Sequence, residues 1–198
     1  MKKFFVILAA AFLLPFMLTS NENEATRYEG FAVGAYFSNS YAAGDWAKYV
    51  TTGIGGGLTA EYTLPLEISL FDIGITVRAE YDALIPASDS IVESGFDLMI
   101  LPGAFLRFPI YLEGVTAAFV PEVSYGVVMH NLKGKDKADI DGLYTDQLLS
   151  IATGIRLSVP KLEQLEVEVS PLCLLGFEKS GVLVQPGFRA GALWHLAK

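Results

Sequence analysis

Residues 71–82 alternate strictly between apolar and polar side chains. The odd positions from Phe71 to Tyr81 are all apolar, and the even positions include Asp72, Arg78 and Glu80. Such period-two alternation predicts a β-strand with one apolar and one polar face. In a soluble calyx the apolar face forms the core, whereas in a membrane barrel it contacts lipid and the polar face lines the interior. The function of the chain therefore depends on which face points inward.

The same alternation recurs along the chain and predicts eight strands, at 28–37, 53–64, 69–82, 95–108, 112–127, 144–159, 165–177 and 182–196. Tight connections that contain proline, at 64–67, 108–113 and 159–163, alternate with longer polar connections at 38–49, 84–94 and 130–142. Short turns at one end and longer loops at the other are typical of an up-and-down barrel. The sequence thus predicts an all-β fold, an eight-stranded antiparallel up-and-down transmembrane β-barrel.

The N-terminus has the pattern of a secretory signal peptide. Lys2 and Lys3 precede an apolar run at 4–18 that is interrupted by Pro15, and such a run is too short to span a membrane comfortably. We expect a signal peptide at 1–20, cleaved to leave residues 21–198 as a single barrel domain. Without Lys2 and Lys3 the formal net charge falls from −8 to −10. So acidic a chain is a poor partner for nucleic acid.

The polar face favours an interior over a solvated surface, because it consists mostly of Gly, Ala, Ser and Thr with isolated charges. Small side chains suit the narrow interior of an eight-stranded barrel. An unpaired buried charge is costly, so we predict a lumen charge network formed by Glu61, Asp72, Arg78, Glu80, Glu122, Arg156, Glu166, Glu168 and Arg189. Aromatic residues near strand ends fit two interfacial girdles, and they fit the rim of a pocket equally well: Phe37, Tyr62, Tyr81, Phe108, Tyr125 and Trp194. The alternative is a soluble exported lipocalin-like calyx that binds a hydrophobic ligand.

The last predicted strand, GFRAGALWHL at 187–196, carries Phe188, Trp194 and Leu196 on one face. It resembles the C-terminal assembly signal of small eight-stranded outer-membrane barrels, the group that includes OmpA-, OmpX- and OmpW-type proteins. The resemblance covers the chain after the signal peptide and rests on architecture. It implies a location in the outer membrane of a diderm bacterium, contact with outer-membrane lipid and with the barrel assembly machinery, and a monomer.

Prolines inside predicted strands favour the OmpW-like branch, and there are four of them: Pro102, Pro121, Pro171 and Pro186. Pro102 and Pro121 fall nearly opposite each other if the intervening turn is centred near 108–112. Proline removes a ladder hydrogen bond and is rare in central strands. Resemblance to OmpW-type barrels implies a lateral opening there for small hydrophobic molecules. The alternative is a bulge or bend that curves the barrel wall.

No catalytic or cofactor site stands out in the sequence. The chain has two histidines, His130 and His195, and neither supplies the His-x-Ser pair of outer-membrane lipid A deacylases. The loop at 133–142 lacks the spacing of an EF-hand, and the glycines at 53–57 precede no helix that could hold a phosphate. We therefore expect a non-enzymatic, porin-like protein without cofactor or metal. It would pass small or hydrophobic solutes, or act as a structural or surface-interaction barrel.

Overall fold

The computed structural model describes residues 30–66, 68, 70–112, 115–135, 142–178 and 181–196. They form eight strands, β1 Gly30–Tyr41, β2 Val50–Thr63, β3 Asp72–Pro86, β4 Val92–Leu112, β5 Val115–Gly134, β6 Gly142–Val159, β7 Leu162–Glu178 and β8 Gly181–His195. A short 3-10 helix, Gly44–Lys48, lies between β1 and β2. Among these residues no helix is long and apolar enough to cross a membrane. The predicted signal peptide at 1–20 lies outside the described residues.

The strands form a closed antiparallel barrel in chain order. Closure comes from β1 and β8, which pair from Ala32 opposite His195 to Ser40 opposite Gly187. A closed barrel leaves no unpaired strand edge. One end, the turn end, carries the connections after β2, β4 and β6, and the other, the loop end, carries those after β1, β3, β5 and β7. The predicted all-β, eight-stranded, up-and-down fold is confirmed.

The apolar face of β3 lies on the outside of the barrel. Ile75 and Val77 are 53% and 50% exposed, whereas Arg78, which follows Val77 and points to the opposite face, is 2% exposed. From Ile73 to Ile85 every outward residue of β3 is apolar, and twelve steps of about 3.3 Å along a strand tilted by about 40° give a height of about 30 Å. This height matches the apolar belt of a transmembrane barrel. The soluble calyx is therefore the wrong alternative, because its apolar face would have to line the interior.

Aromatic side chains lie at two levels of this outer surface. Near the turn end, the rings of Phe31 and Tyr62 are 4.6 Å apart, and Phe71 and Phe108 are 5.5 Å apart. Near the loop end, close pairs are formed by Phe37 with Phe188 and by Tyr81 with Phe96. Aromatic rings at two levels fit the interfacial girdles of a membrane barrel.

The turn between β4 and β5 differs from the prediction. β4 continues through 108–112 to Leu112, β5 begins at Val115, and these two residues pair. Pro109 is tolerated inside β4 because the β3–β4 ladder ends at Arg107, so its missing N–H breaks no bond on that side. The resulting register puts Pro102 beside Tyr125, four residues along the strand from Pro121. The two prolines are thus not opposite each other.

Candidate functional site: the sealed lumen

Six charged side chains from six strands form a closed ring across the interior. Arginine and glutamate alternate around it, in the order Glu61, Arg78, Glu122, Arg189, Glu168 and Arg156, and Arg156 returns to Glu61. Each of the six is at most 6% exposed. Three positive and three negative charges cancel, so the ring is neutral and each buried charge has two partners of opposite sign.

Two of the arginines bind their partners in short, bidentate geometry. Arg156 donates from Nη1 and Nη2 to the two oxygens of Glu61, at 2.7 and 2.8 Å, and from Nε to Glu168 Oε2 at 2.7 Å. Arg78 donates from Nε and Nη2 to the two oxygens of Glu122, at 2.8 and 2.5 Å. A longer contact of 3.3 Å joins Arg78 Nη2 to Glu61. The fork of the guanidinium matches the carboxylate, which is why arginine suits such pairs.

Arg189 closes the ring more loosely. Its Nη2 lies 3.2 Å from Glu122 and 3.5 Å from Glu168. Its buried Nε has no hydrogen-bond partner among the described residues. A cavity of about 10 Å³ beside it, lined among others by Tyr36, Thr59, Arg78 and Glu168, has room for about one water molecule. Arg189 is therefore the arginine of the ring with the longest ion-pair distances.

The two strands without a ring charge contribute aromatic side chains instead. Tyr36 of β1 lies 5.3 Å from the guanidinium of Arg78 and 5.4 Å from that of Arg189. Phe105 of β4 lies 5.3 Å from Arg156. These separations are within the reach of a cation–π interaction. All eight strands thus contribute a side chain to this one layer of the interior.

Glycines on neighbouring strands make room for these aromatic rings. A Cβ added at Gly57 would lie 2.6 Å from the hydroxyl of Tyr36, and one added at Gly74 would collide with the ring of Phe105. Real Cβ atoms do not approach other atoms so closely. The glycines of the polar face therefore give the lumen room for large side chains, in agreement with the predicted close approach at a crowded wall.

A second ion-pair layer lies near the turn end. Arg107 donates from Nη1 and Nη2 to the two oxygens of Glu166, at 3.0 and 2.6 Å, and His195 Nε2 lies 2.9 Å from Glu166 Oε2. Asp72 is half-buried at the end of β3, in register with Arg107. Of the predicted network, Glu166 and Asp72 therefore belong to this layer and not to the central ring.

The layer near the loop end is acidic on one side and apolar on the other. Tyr36 donates to Glu80 at 2.8 Å, Ser38 donates to Asp82 at 2.7 Å, and His130 Nδ1 lies 2.7 Å from Asp97 Oδ1. Opposite them, β4 to β7 pack an apolar cluster of Met99, Leu101, Val128, Leu148, Ala152, Leu172 and Leu174. Within the part of the chain that the structure describes, no group of three His, Cys, Asp or Glu side chains is placed to hold a metal ion.

The alternation of the sequence placed the predicted charges on the inner face but missed several members of these layers. Arg107 carries the same signal, because it lies on the polar parity of β4 with Asp97. Tyr36 and Phe105 carry no such signal, since an aromatic residue on a polar face is not recognisable as a partner of arginine. Glu80, predicted to pair with a base, is instead bonded to Tyr36.

The prolines of the predicted lateral opening lie at interruptions of the β4–β5 ladder. The β4–β5 register is the same on both sides of Pro102, but Leu101 and Pro102, between Ile100 and Gly103, have no paired residue on β5. The pairing skips again at Leu106 and Arg107, at the level of Pro121. On their other sides both prolines remain paired, Pro102 with Val77 and Pro121 with Thr153. The β4–β5 ladder is therefore interrupted at two levels, and its register is kept.

No protein-family model matches the chain, and no curated protein matches its sequence. Several solved structures share its fold. Ail, the attachment invasion locus protein of Yersinia pestis, aligns with a TM-score of 0.51 at 14% identity, over 84% of this chain and 98% of Ail. Neisserial surface protein A (NspA) aligns with a TM-score of 0.55 at 14% identity, over 85% of this chain and 98% of NspA. Ail in complex with the heparin analogue sucrose octasulfate aligns with a TM-score of 0.50 at 14% identity, over 84% and 98%.

The chain has the fold of the small eight-stranded outer-membrane barrels, so the resemblance predicted from the sequence is confirmed. The outer-membrane location of these neighbours agrees with the predicted location. An apolar outer belt around a buried, ion-paired interior is the arrangement that a lipid environment requires. The matches do not single out an OmpW-like branch, and that finer assignment stays a prediction.

Proposed function

We propose that this protein is an integral outer-membrane barrel that conducts no solute through its lumen and acts as a structural and surface-interaction barrel. The closed ring of three arginines and three glutamates carries this proposal. The turn end faces the periplasm and the loop end faces outward, as in barrels with short periplasmic turns. The connections at 42–49 and 87–91, together with the polar connection predicted at 130–142, then present the interaction surface.

The ring supports a closed lumen because an ion would have to break it in order to pass. Each carboxylate of the ring is held by two guanidinium groups. Removing one partner of such a buried pair costs about 3–5 kcal/mol. The cavity beside the ring, about 10 Å³, is too small for a hydrated ion. A neutral, fully paired ring also lacks the excess charge that would attract one ion type.

Planar-bilayer recording of the purified full-length barrel tests this proposal, with a general porin as the positive control in the same bilayers. We expect no discrete current steps while heat-modifiable gel migration reports a folded barrel. Reproducible steps from the folded barrel would refute a closed lumen. Such steps would instead favour transport of small solutes through the lumen.

A lateral opening between β4 and β5 is the second candidate function, and the ladder interruptions at Pro102 and at the level of Pro121 favour it. In this case small hydrophobic molecules would leave the barrel sideways into lipid. The variant Pro102→Ala/Pro121→Ala restores two N–H donors to this seam and should reduce uptake of a hydrophobic solute. Pro171→Ala is the matched control, because Pro171 interrupts the β6–β7 ladder instead. Unchanged uptake in the double variant argues against the opening.

The partner at the outer surface differs in charge from the one that Ail binds in its complex with sucrose octasulfate. A sulfated sugar requires accessible positive charge, and this chain has a formal net charge of −8. Lys48 is paired with Asp45 at 2.6 Å and Lys133 with Glu93 at 3.0 Å. The hydrogen bond from Lys48 holds the pKa of Asp45 below its usual range, so this carboxylate stays charged beside the lysine. We therefore propose a neutral or basic partner.

The remaining parts of the proposal follow from the same arrangement. Outer-membrane lipid is the partner of the apolar belt, and the barrel assembly machinery is the partner of β8, whose Phe188 and Trp194 are exposed on the outer face. The closed pairing of β1 with β8 supports a monomer. The proposed role is not enzymatic; the two histidines are bound within the barrel, His130 by Asp97 and His195 by Glu166.

A further inference from the structure

The connection between β1 and β2 lies across the loop end of the barrel. We call residues 42–49, which include the 3-10 helix, the lid. Trp46 of the lid is 8% exposed and packs with Val50 and Leu84 in an apolar cluster. Backbone bonds hold the lid at three points near its two ends, from Ala42 N to Thr51 O at 3.1 Å, from Ala43 N to Val184 O at 3.1 Å and from Ala87 N to Tyr49 O at 3.0 Å. Such limited anchoring is typical of a segment that can open locally.

His130 of β5 lies directly beneath the lid. Its ring is 5.9 Å from the ring of Trp46, at an interplanar angle of 60°. Its Nδ1 is 2.7 Å from Asp97 Oδ1 on β4, and its Nε2 is 3.8 Å from Asp146 Oδ2 on β6. A charged imidazole at this position therefore sits between two carboxylates and against an aromatic ring.

The other ionisable groups around His130 add negative charge. Asp82 of β3 is in register with Asp97, so two carboxylates face each other on adjacent strands, an arrangement that is unfavourable when both are charged. Glu80 lies next along β3 on the same face, and Tyr144 of β6 is in register with His130. In the described part of the chain, the salt bridges to Asp97 and Asp146 come from His130, and none reaches Glu80 or Asp82. His130 is thus the base of this acidic group.

We propose that the lid is a proton-controlled cover, closed while His130 is charged and released when His130 loses its proton. Histidine changes charge between about pH 5 and pH 8. When His130 becomes neutral, the carboxylates below the lid lose their positive partner while they remain buried, and burial of unpaired charge is costly. Lifting the lid admits water to them. Falling pH favours the closed lid for two reasons. His130 gains a positive charge, and the carboxylates lose their negative charge.

Opening of the lid also gives the indole N–H of Trp46 a hydrogen-bond partner. Its indole Nε1 is buried without a hydrogen-bond partner among the described residues, so the closed lid leaves one donor unused. An open lid lets this donor bond to water. The closed lid is therefore stabilised by apolar packing and by the charge on His130, and loss of that charge shifts the equilibrium to the open lid.

The central ring of Arg78, Arg156 and Arg189 with their glutamates lies deeper in the barrel than the lid. Release of the lid changes access to the outer mouth and leaves the ring intact. The inference is therefore independent of the closed lumen: bilayer conductance tests the ring, and the environment of Trp46 tests the lid.

The test uses the full-length barrel in detergent with the substitution Trp194→Phe, which leaves Trp46 as the only tryptophan. Emission wavelength and acrylamide quenching are recorded between about pH 5 and pH 8. We expect emission to shift to longer wavelength and quenching to rise several-fold as pH rises. Constant emission and quenching, or a change in the opposite direction, would overturn the proposal.

His130→Gln in the same background removes the charge change and should abolish the transition. His195→Gln is the matched control, because it removes the other histidine, at the turn end, and should leave the transition in place. Gel migration and circular dichroism confirm that each variant is folded. If His130→Gln does not fold, Asp146→Asn replaces it and should move the transition to lower pH. A transition that persists unchanged in the folded His130→Gln barrel, or in Asp146→Asn, would also overturn the proposal.

Discussion

Replacement of Arg156 by methionine is the sharpest test of the central ring. Methionine keeps a long, flexible apolar side chain, so the main change is the loss of the guanidinium. Arg156 makes three hydrogen bonds of 2.7–2.8 Å to Glu61 and Glu168. Without them Glu61 keeps the 3.3 Å contact from Arg78, and Glu168 keeps the 3.5 Å contact from Arg189 together with the hydroxyl of Ser170.

The expected loss of stability follows from these contacts. Breaking a buried ion pair by removing one partner costs about 3–5 kcal/mol, because a charge is left uncompensated. Arg156 serves two carboxylates, so we expect a loss near the upper end, about 5 kcal/mol in the free energy of unfolding. Glu61→Gln removes one of the stranded charges. The double variant Arg156→Met/Glu61→Gln should therefore be more stable than the sum of the single changes implies, by about 1–3 kcal/mol.

Equilibrium unfolding in urea, with the barrel reconstituted in lipid vesicles and followed by tryptophan fluorescence and gel migration, measures these free energies. Lys48→Met is the matched control, because it removes the same charge from an exposed pair with Asp45 and should leave stability nearly unchanged. A loss below about 1 kcal/mol for Arg156→Met, with additive behaviour in the double variant, contradicts the ring as a stabilising element.

Three further outcomes are expected from the same structure. Gly57→Ala places a Cβ against the backbone carbonyl oxygen of Ala79 and within 2.6 Å of the Tyr36 hydroxyl, and it should cost about 1–3 kcal/mol in urea unfolding. Gly176→Ala, whose Cβ would be 3.4 Å from its nearest neighbour, should be nearly neutral, and equal effects of the two changes contradict the close-packing argument. Leu101→Ala, at 2% exposure in the apolar cluster of the lumen, should cost about 2–5 kcal/mol and more than the lipid-facing Ile100→Ala. Sucrose octasulfate should give no heat of binding in isothermal titration calorimetry, and saturable binding contradicts the proposed charge of the outer partner.

The sequence by itself determined which residues face inward. Period-two alternation is a local property of the chain, because successive side chains of a strand point to opposite sides whatever the strand pairs with. This is why Arg78 and Arg156 could be assigned to the interior, and why Ile75 and Val77 could be assigned to lipid once a soluble core was excluded. Arg107 could have been assigned with them, since its parity in β4 is equally clear.

Which charges meet was decided by the tertiary structure. Arg156 and Glu61 are 95 positions apart in the sequence, and they meet because eight registers and the closure of β1 on β8 bring them to one level of the barrel. The continuation of β4 through the predicted turn to Leu112 was enough to separate Pro102 from Pro121. The same closure places Tyr36 and Phe105 against the ring and the lid over His130. Strand faces follow from local chain geometry, whereas the ring, the interruptions of the β4–β5 ladder and the lid require the register of the whole barrel.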